Sequence, residues 1–176
     1  MLINSDSNKF YQRASFRKVE GVIAEIEPTR TGKNKVNGCI LFVRVEDTEG
    51  NSVNFLVGPG TYVLDFVTLT EGMKCQFFHR DGMSSQSSIY PPQYMAAVVA
   101  PMESGRQICV GYFDKSLINQ EQSLQIRLES GISMLTTNNQ IFIGSPASQN
   151  LAVVYETATG STPAQATPKK VVVLCR

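Results

Sequence analysis

Residues 39–57 constrain the fold most strongly, because apolar and polar side chains alternate along them on either side of a turn. A period of two is the pattern of a β-strand that buries one face. The turn is the acidic, glycine-containing stretch 46–51. We expect the inward-facing residues of the two arms to be Cys39, Leu41, Val43 and Val45, then Val53, Phe55 and Val57. This segment therefore predicts the central β-hairpin of a small barrel.

Four further features surround this hairpin. From Phe16 the pattern becomes extended. Val19, Gly21 and Ile23 share one parity and Ile26 falls on the other, and this phase slip beside a glycine predicts a β-bulge that bends the first strand. We expect this strand to end at Pro28 and a basic loop to occupy residues 29–38. Residues 61–70 are too rich in β-branched side chains to predict a helix. Two more strands are predicted at 73–80 and 93–100, separated by a polar loop at 81–92.

Five strands with a bent first strand, a basic loop after it and a long loop before the last strand resemble the OB-fold. The resemblance covers residues 16–101 and rests on strand order and loop placement. It implies a five-stranded barrel with a binding face on the second and third strands, flanked by the two loops. It does not imply which ligand binds there.

The rest of the chain divides into a polar N-terminal arm, residues 1–15, and a C-terminal β-rich unit, residues 104–176. Short alternating segments separated by turns predict strands in this unit at 108–112, 124–128, 140–144, 151–157 and 170–175. The last of them is apolar on both faces, which is typical of a strand at the centre of a sheet. We therefore expect an all-β protein in which the C-terminal unit packs on the OB-like barrel, residues 16–103.

Composition restricts the function classes only weakly. Net charge is +1 and 18% of residues are charged, so the whole chain shows no bias toward nucleic acid. The four cysteines lack metal-ligand spacing, and we expect them to be buried thiols. No signal peptide pattern and no apolar run of membrane-spanning length occur, which predicts a cytoplasmic protein without membrane contact.

An enzyme has little support in the sequence. The chain has one histidine, His79, in the inward parity of a predicted strand, where a structural role is expected. Gly-rich phosphate loops, nucleophile elbows and metal-binding clusters are absent. We therefore predict a non-enzymatic binding module with no catalytic residues, no metal and no cofactor.

Two partner classes stay open. Single-stranded nucleic acid would be bound by the loop cations and by outward side chains of the second strand: Arg30, Lys33, Lys35, Phe42 and Arg44. Acidic residues at the tip of the central hairpin argue against this partner. The alternative is a protein–protein interaction or assembly module that binds a protein partner or forms a homo-oligomer. It would use the apolar strip of Ile40, Phe42 and Leu56.

Overall fold

A computed structural model of the protein describes residues 13–84 and 90–175, and strands dominate it. The prediction of an all-β protein is confirmed. Contacts divide the chain into two compact units. The first unit is Phe16–Met102, and the second combines the described residues before Phe16 with those from Glu103 onward. Most of the predicted N-terminal arm, residues 1–12, lies outside the described residues.

The first unit is a single hydrogen-bonded sheet system, in which a 3-10 turn at Leu64–Phe66 follows the fourth strand. Its strands are β1 (Phe16–Arg30), β2 (Val36–Asp47), β3 (Ser52–Val57), β4 (Tyr62–Val63), β5 (Lys74–Ser84) and β6 (Gln93–Pro101). The predicted polar loop 81–92 is shorter than expected, since β5 continues to Ser84. Residues 85–89 of that loop lie outside the described residues.

Strand β1 pairs antiparallel with β2 on one edge and with β5 on the other. The predicted bulge is confirmed by a register shift between Ile23 and Glu25. The expected end at Pro28 is wrong, because β1 continues to Arg30. A second register shift, between Pro28 and Thr29, places the proline at an irregular point of the ladder, where its missing N–H is tolerated.

Pairing also connects the remaining long strands. β2 pairs antiparallel with β3, β3 pairs parallel with β6, and β6 pairs antiparallel with β5. Together with the two pairings of β1, these ladders link β1, β2, β3, β6 and β5 in a cycle. The resemblance to the OB-fold itself stays a prediction.

The central hairpin has the predicted register, with Val43 opposite Phe55 and Val45 opposite Val53. Val43, Val45 and Phe55 are fully buried, and the ring of Phe55 stacks on Phe77 with 4.7 Å between centroids. Two other residues predicted to face inward, Val53 and Val57, are also buried. These side chains form the centre of the core of the first unit.

Three residues of the hairpin differ from expectation. Leu41 is only half-buried at the edge of the core, and Cys39 is exposed. The cause is the register shift at Pro28, because the pairing of β2 with β1 passes directly from Leu41 to Asn37 and leaves Cys39 outside the regular ladder. Asn54 lies between two residues expected to face inward, so alternation places its side chain outward, yet it is buried, since β6 runs alongside β3 at this position.

The second unit contains two sheets. Its strands are β7 (Gln107–Phe113), β8 (Ile118–Asn119), β9 (Leu124–Ile126), β10 (Ser133–Thr136), β11 (Gln149–Tyr155), β12 (Ala164–Ala166) and β13 (Lys170–Val173). The sheet orders are β10-β13-β11-β7 and β12-β9-β8. The central position predicted for the closing strand is confirmed, because β13 lies between β10 and β11 with its three valines buried.

Two predictions for this unit are wrong. Residues 140–144 form no full strand, and only Ile141 makes a bridge, to Leu135. Conversely, β12 lies between the strands predicted at 151–157 and 170–175, where no strand was expected. Its parallel pairing with β9 joins residues 40 positions apart, such as Ala164 and Leu124, and alternation along the chain does not reveal such a partner.

Within the part of the chain that the structure describes, no helix is long and apolar enough to cross a membrane.

Phe55→Ala should lower the free energy of unfolding by about 3–5 kcal/mol, because it removes a fully buried ring and leaves a cavity against Phe77. Urea unfolding followed by circular dichroism measures this change. Phe66→Ala is the matched control, since Phe66 is 56% exposed and should cost much less. Equal losses for the two variants would contradict the assigned core.

Candidate functional site

Half of the basic loop predicted at 29–38 is strand. β1 continues to Arg30, which pairs with Val36 at the start of β2. The turn therefore spans only residues 31–35, and the Thr31 N–H donates to the Lys35 carbonyl at 2.8 Å. Gly32 has φ +89°, a left-handed conformation that glycine adopts without strain and that lets the chain reverse in so few residues. We call Arg30, Lys33 and Lys35, at the end of this β1–β2 hairpin, the basic tip.

The basic tip carries positive charge that no described residue neutralises. All three side chains are exposed, and among the described residues none forms an ion pair or a hydrogen bond with them. Residues 28–45 contain no aspartate or glutamate. Three other cations of the first unit differ, since Arg17 pairs with Asp81, Lys18 with Glu20 and Arg44 with Glu25.

Phe42 lies on the same hairpin as the basic tip but not beside it. Its register partners are Glu27 on β1 and Leu56 on β3, and its ring is half-buried. Glu27 precedes Arg30 by three residues, so Phe42 lies about 10 Å along the strands from the basic tip. The structure therefore places an aromatic ring and the basic tip along one hairpin, with the carboxylate of Glu27 beside the ring.

Arg44 differs from the other predicted site residues because its charge is compensated. Its Nη1 lies 2.8 Å from Oε2 of Glu25, and its side chain keeps 43% of its exposure. Its second register partner is Asn54 on β3. Arg44 can contact an anion only in addition to Glu25 or in exchange for it, which makes it a weaker anion ligand than the basic tip.

A pocket of about 370 Å³ in the first unit was not predicted from the sequence. It is lined by Arg17, His79, Asp81, Gly82 and Tyr94. The His79 and Tyr94 rings stack in parallel with 3.8 Å between centroids, and Arg17 binds Asp81 with two nitrogens at 3.3 Å. The pairing of β1 with β5 places Arg17 opposite His79, which is 62 positions away in the sequence. No local sequence motif predicts this pairing.

His79 is neutral at pH 7. Burial lowers the pKa of its imidazole, and the positive charge of Arg17 acts in the same direction. The hydrogen bond to the Arg80 carbonyl and the charge of Asp81 oppose this shift. A carbonyl oxygen only accepts, so Nδ1 carries the proton that it donates to Arg80 at 3.0 Å, and Nε2 carries the lone pair. The inward position expected for His79 is confirmed, since only 6% of its surface is exposed.

The cysteines do not form a reactive or metal-binding cluster. All four thiols are free, and burial raises the pKa of Cys75 to about 11 and that of Cys109 to about 12, which makes both poor nucleophiles. Cys39 and Cys175 are exposed, so the expectation of four buried thiols is wrong for these two. Over residues 13–84 and 90–175, no group of three or more histidine, cysteine or acidic side chains is arranged to hold a metal ion.

Neither a protein-family model nor a curated protein matches this sequence. The functional inference therefore depends on the charges and exposed side chains of the chain itself.

The folded-state pKa of His79 should make the protein less stable as the pH falls below 7. In the unfolded chain the imidazole takes up a proton as the pH falls past its ordinary pKa of 6.5. In the folded chain the imidazole stays neutral until the pH reaches its lower pKa. The free energy of unfolding should therefore fall over that window and then level off. Urea unfolding at a series of pH values measures it.

Because the chain has one histidine, the imidazole signals in a proton NMR titration report the same pKa directly. His79→Phe retains a ring against Tyr94 and serves as the control, which should lose the pH dependence. An imidazole pKa at or above 6.5 in the folded protein would contradict the neutral, buried assignment.

Proposed function

We propose that the first unit is a non-enzymatic OB-type module that binds single-stranded nucleic acid through the basic tip and the outer face of β2 and β3. Three features support the OB-type assignment: the cyclic pairing of five strands, the parallel ladder between β3 and β6, and the bulge in β1. OB-folds bind oligonucleotides on this face and through the adjoining loops. The ligand class rests on the charge distribution of the unit.

The observation that carries the proposal is the uncompensated charge of the basic tip. A nucleic acid gains affinity when cations neutralise its phosphates and release condensed counterions. A cation already paired with a carboxylate offers less of this gain, because the ion pair must be loosened first. Arg30, Lys33 and Lys35 form no ion pair with the described residues, so they need not break one to bind a phosphate.

Phe42 supplies the second element of the proposed contact. Single-strand binders stack bases on aromatic rings beside a basic groove, and this stacking tolerates any base sequence. The β1–β2 and β2–β3 ladders hold the backbone of Phe42, and its half-buried ring leaves part of its surface open to a base. Glu27, the register partner of Phe42 on β1, opposes phosphate binding next to the ring, which directs the backbone of the nucleic acid toward the basic tip.

The alternative class, a protein-interaction module that uses the apolar strand faces, has less support on this surface. Ile40, Phe42 and Leu56 are half-buried, so they form no large exposed apolar patch. An apolar contact would tolerate salt, whereas phosphate binding weakens steeply with it. Salt dependence therefore separates the two classes.

Removing the charges of the basic tip should flatten the salt dependence of binding. Each of Arg30→Gln, Lys33→Gln and Lys35→Gln should reduce the slope of log K against log salt by about 0.7, the value per phosphate contact for a single strand. Fluorescence anisotropy of a labelled oligo(dT) at several salt concentrations measures this slope. Lys74→Gln, an exposed lysine on β5, is the matched control and should leave the slope unchanged. Absence of binding by the parent at low salt would refute the proposal.

Phe42→Ala should leave a different signature in the same titration. The loss of one stacking surface should weaken binding by about 1–3 kcal/mol while the salt slope stays constant. Phe66→Ala removes a more exposed phenylalanine elsewhere in the unit and should not affect binding. A Phe42→Ala protein that folds normally and binds as tightly as the parent would exclude this ring from the site.

A further inference from the structure

The second unit contains a long stretch without charge. From Ser130 to Tyr155 the sequence has no aspartate, glutamate, lysine or arginine. This stretch includes β10, which is the outermost strand of its sheet, and the segment 140–144 that folds back along it. Natural proteins usually place charges, prolines or bulges on such edges to prevent pairing with another chain. The edge formed by residues 140–143 lacks charge and proline.

The backbone of this segment has one bonded side and one open side. The Thr136 N–H donates to the Gln140 carbonyl at 2.8 Å, and the Phe142 N–H donates to the Met134 carbonyl at 2.9 Å. Because successive residues of an extended chain direct their N–H and C=O groups to opposite sides, those of Ile141 and Ile143 face away from β10. Within residues 13–84 and 90–175, nothing forms a hydrogen bond with either isoleucine.

The side chains of these residues follow the same alternation. Phe142 packs against the core of the second unit. Ile141 is 78% exposed and Ile143 is 93% exposed, the largest values among the aliphatic side chains described. Isolated exposed isoleucines are unremarkable, but two in alternate positions on an open edge provide both the apolar contact and the backbone groups that an added strand needs.

We propose that this edge binds the same edge of a second copy of the chain, so that residues 140–144 of the two copies pair antiparallel about a two-fold axis. With the axis at Phe142, Ile141 lies opposite Ile143 of the second copy and Ile143 opposite its Ile141. Each pair exchanges two backbone hydrogen bonds, because both residues have an N–H and a C=O on the open side. The isoleucine side chains of each pair then lie next to each other across the new ladder.

A second copy fits this edge better than an unrelated partner for two reasons. An uncharged surface meets itself without like-charge repulsion and offers nothing to a strongly acidic or basic strand. The antiparallel arrangement is also self-complementary, and an isologous contact uses both open edges and closes at two copies. The contact is small for a stable interface, so we expect a dimer that dissociates on dilution.

Sedimentation velocity of the full chain over a range of concentrations tests this inference, with a reversible monomer–dimer equilibrium expected and no larger species. Ile143→Lys should shift the midpoint of dimerisation to concentrations on the order of tenfold higher or more, since it places a charge in each isoleucine pair. Thr137→Lys adds the same charge at the exposed turn of the same hairpin and should leave the midpoint unchanged. Thermal unfolding checks that both variants remain folded.

Amide hydrogen exchange locates the contact independently of any substitution. Exchange at Ile141 and Ile143 should slow as the concentration rises through the dimerisation midpoint. Exchange at Phe142 should change little, because its N–H is already bonded to Met134. A protein that stays monomeric at several hundred micromolar, a dimer equally sensitive to both lysine variants, or a dimer in which the two isoleucine amides remain unprotected would each overturn the inference.

Discussion

The first unit depends on the ability of β1 to pair with two strands at once. At Gly21 both ladders meet, since this residue lies opposite Asp47 on β2 and opposite Cys75 on β5. A Cβ atom at Gly21 would collide with the backbone of Glu46 and the side chain of Val45, so the close approach of β1 and β2 requires glycine. The bulge after Ile23 then bends β1 toward the rest of β2. Through this junction β1 contributes two ladders to the cycle of strand pairings.

Aromatic stacking connects that framework to the pocket. Phe55 stacks on Phe77 in the core, and its ring also lies 6.2 Å from His79 and 6.1 Å from Tyr94. His79 and Tyr94 thereby extend the packed interior to the pocket wall, where Arg17 and Asp81 are exposed. The hydrogen bond from His79 to the Arg80 carbonyl fixes its ring. The aromatic side of the pocket wall is thus continuous with the core of the first unit.

Alternation predicted the features that depend on local sequence. It identified the buried faces of β2 and β3, the bulge in β1 and the central position of β13. The reason is that the spacing of apolar residues along a strand indicates which of its faces is buried. It failed where a distant partner decides the outcome. Cys39 is exposed because of a register shift opposite Pro28, Asn54 is buried because β6 pairs beside it, and the pocket exists because Arg17 meets His79. Of the site residues, the exposure of the basic tip was expected, whereas the ion pair of Arg44 with Glu25 depends on strand pairing and was not.

The two proposed contacts rest on different physical interactions, which respond differently to salt. The basic tip would bind through released counterions, a gain that salt removes, whereas the edge at Ile141 and Ile143 would bind through apolar burial and backbone hydrogen bonds, which salt affects little. They also lie in different units and share no residue. Each contact can therefore be weakened without altering the chemistry of the other. If both operate, one dimer carries two basic tips, and a nucleic acid long enough to reach both would bind more tightly than one that reaches a single tip.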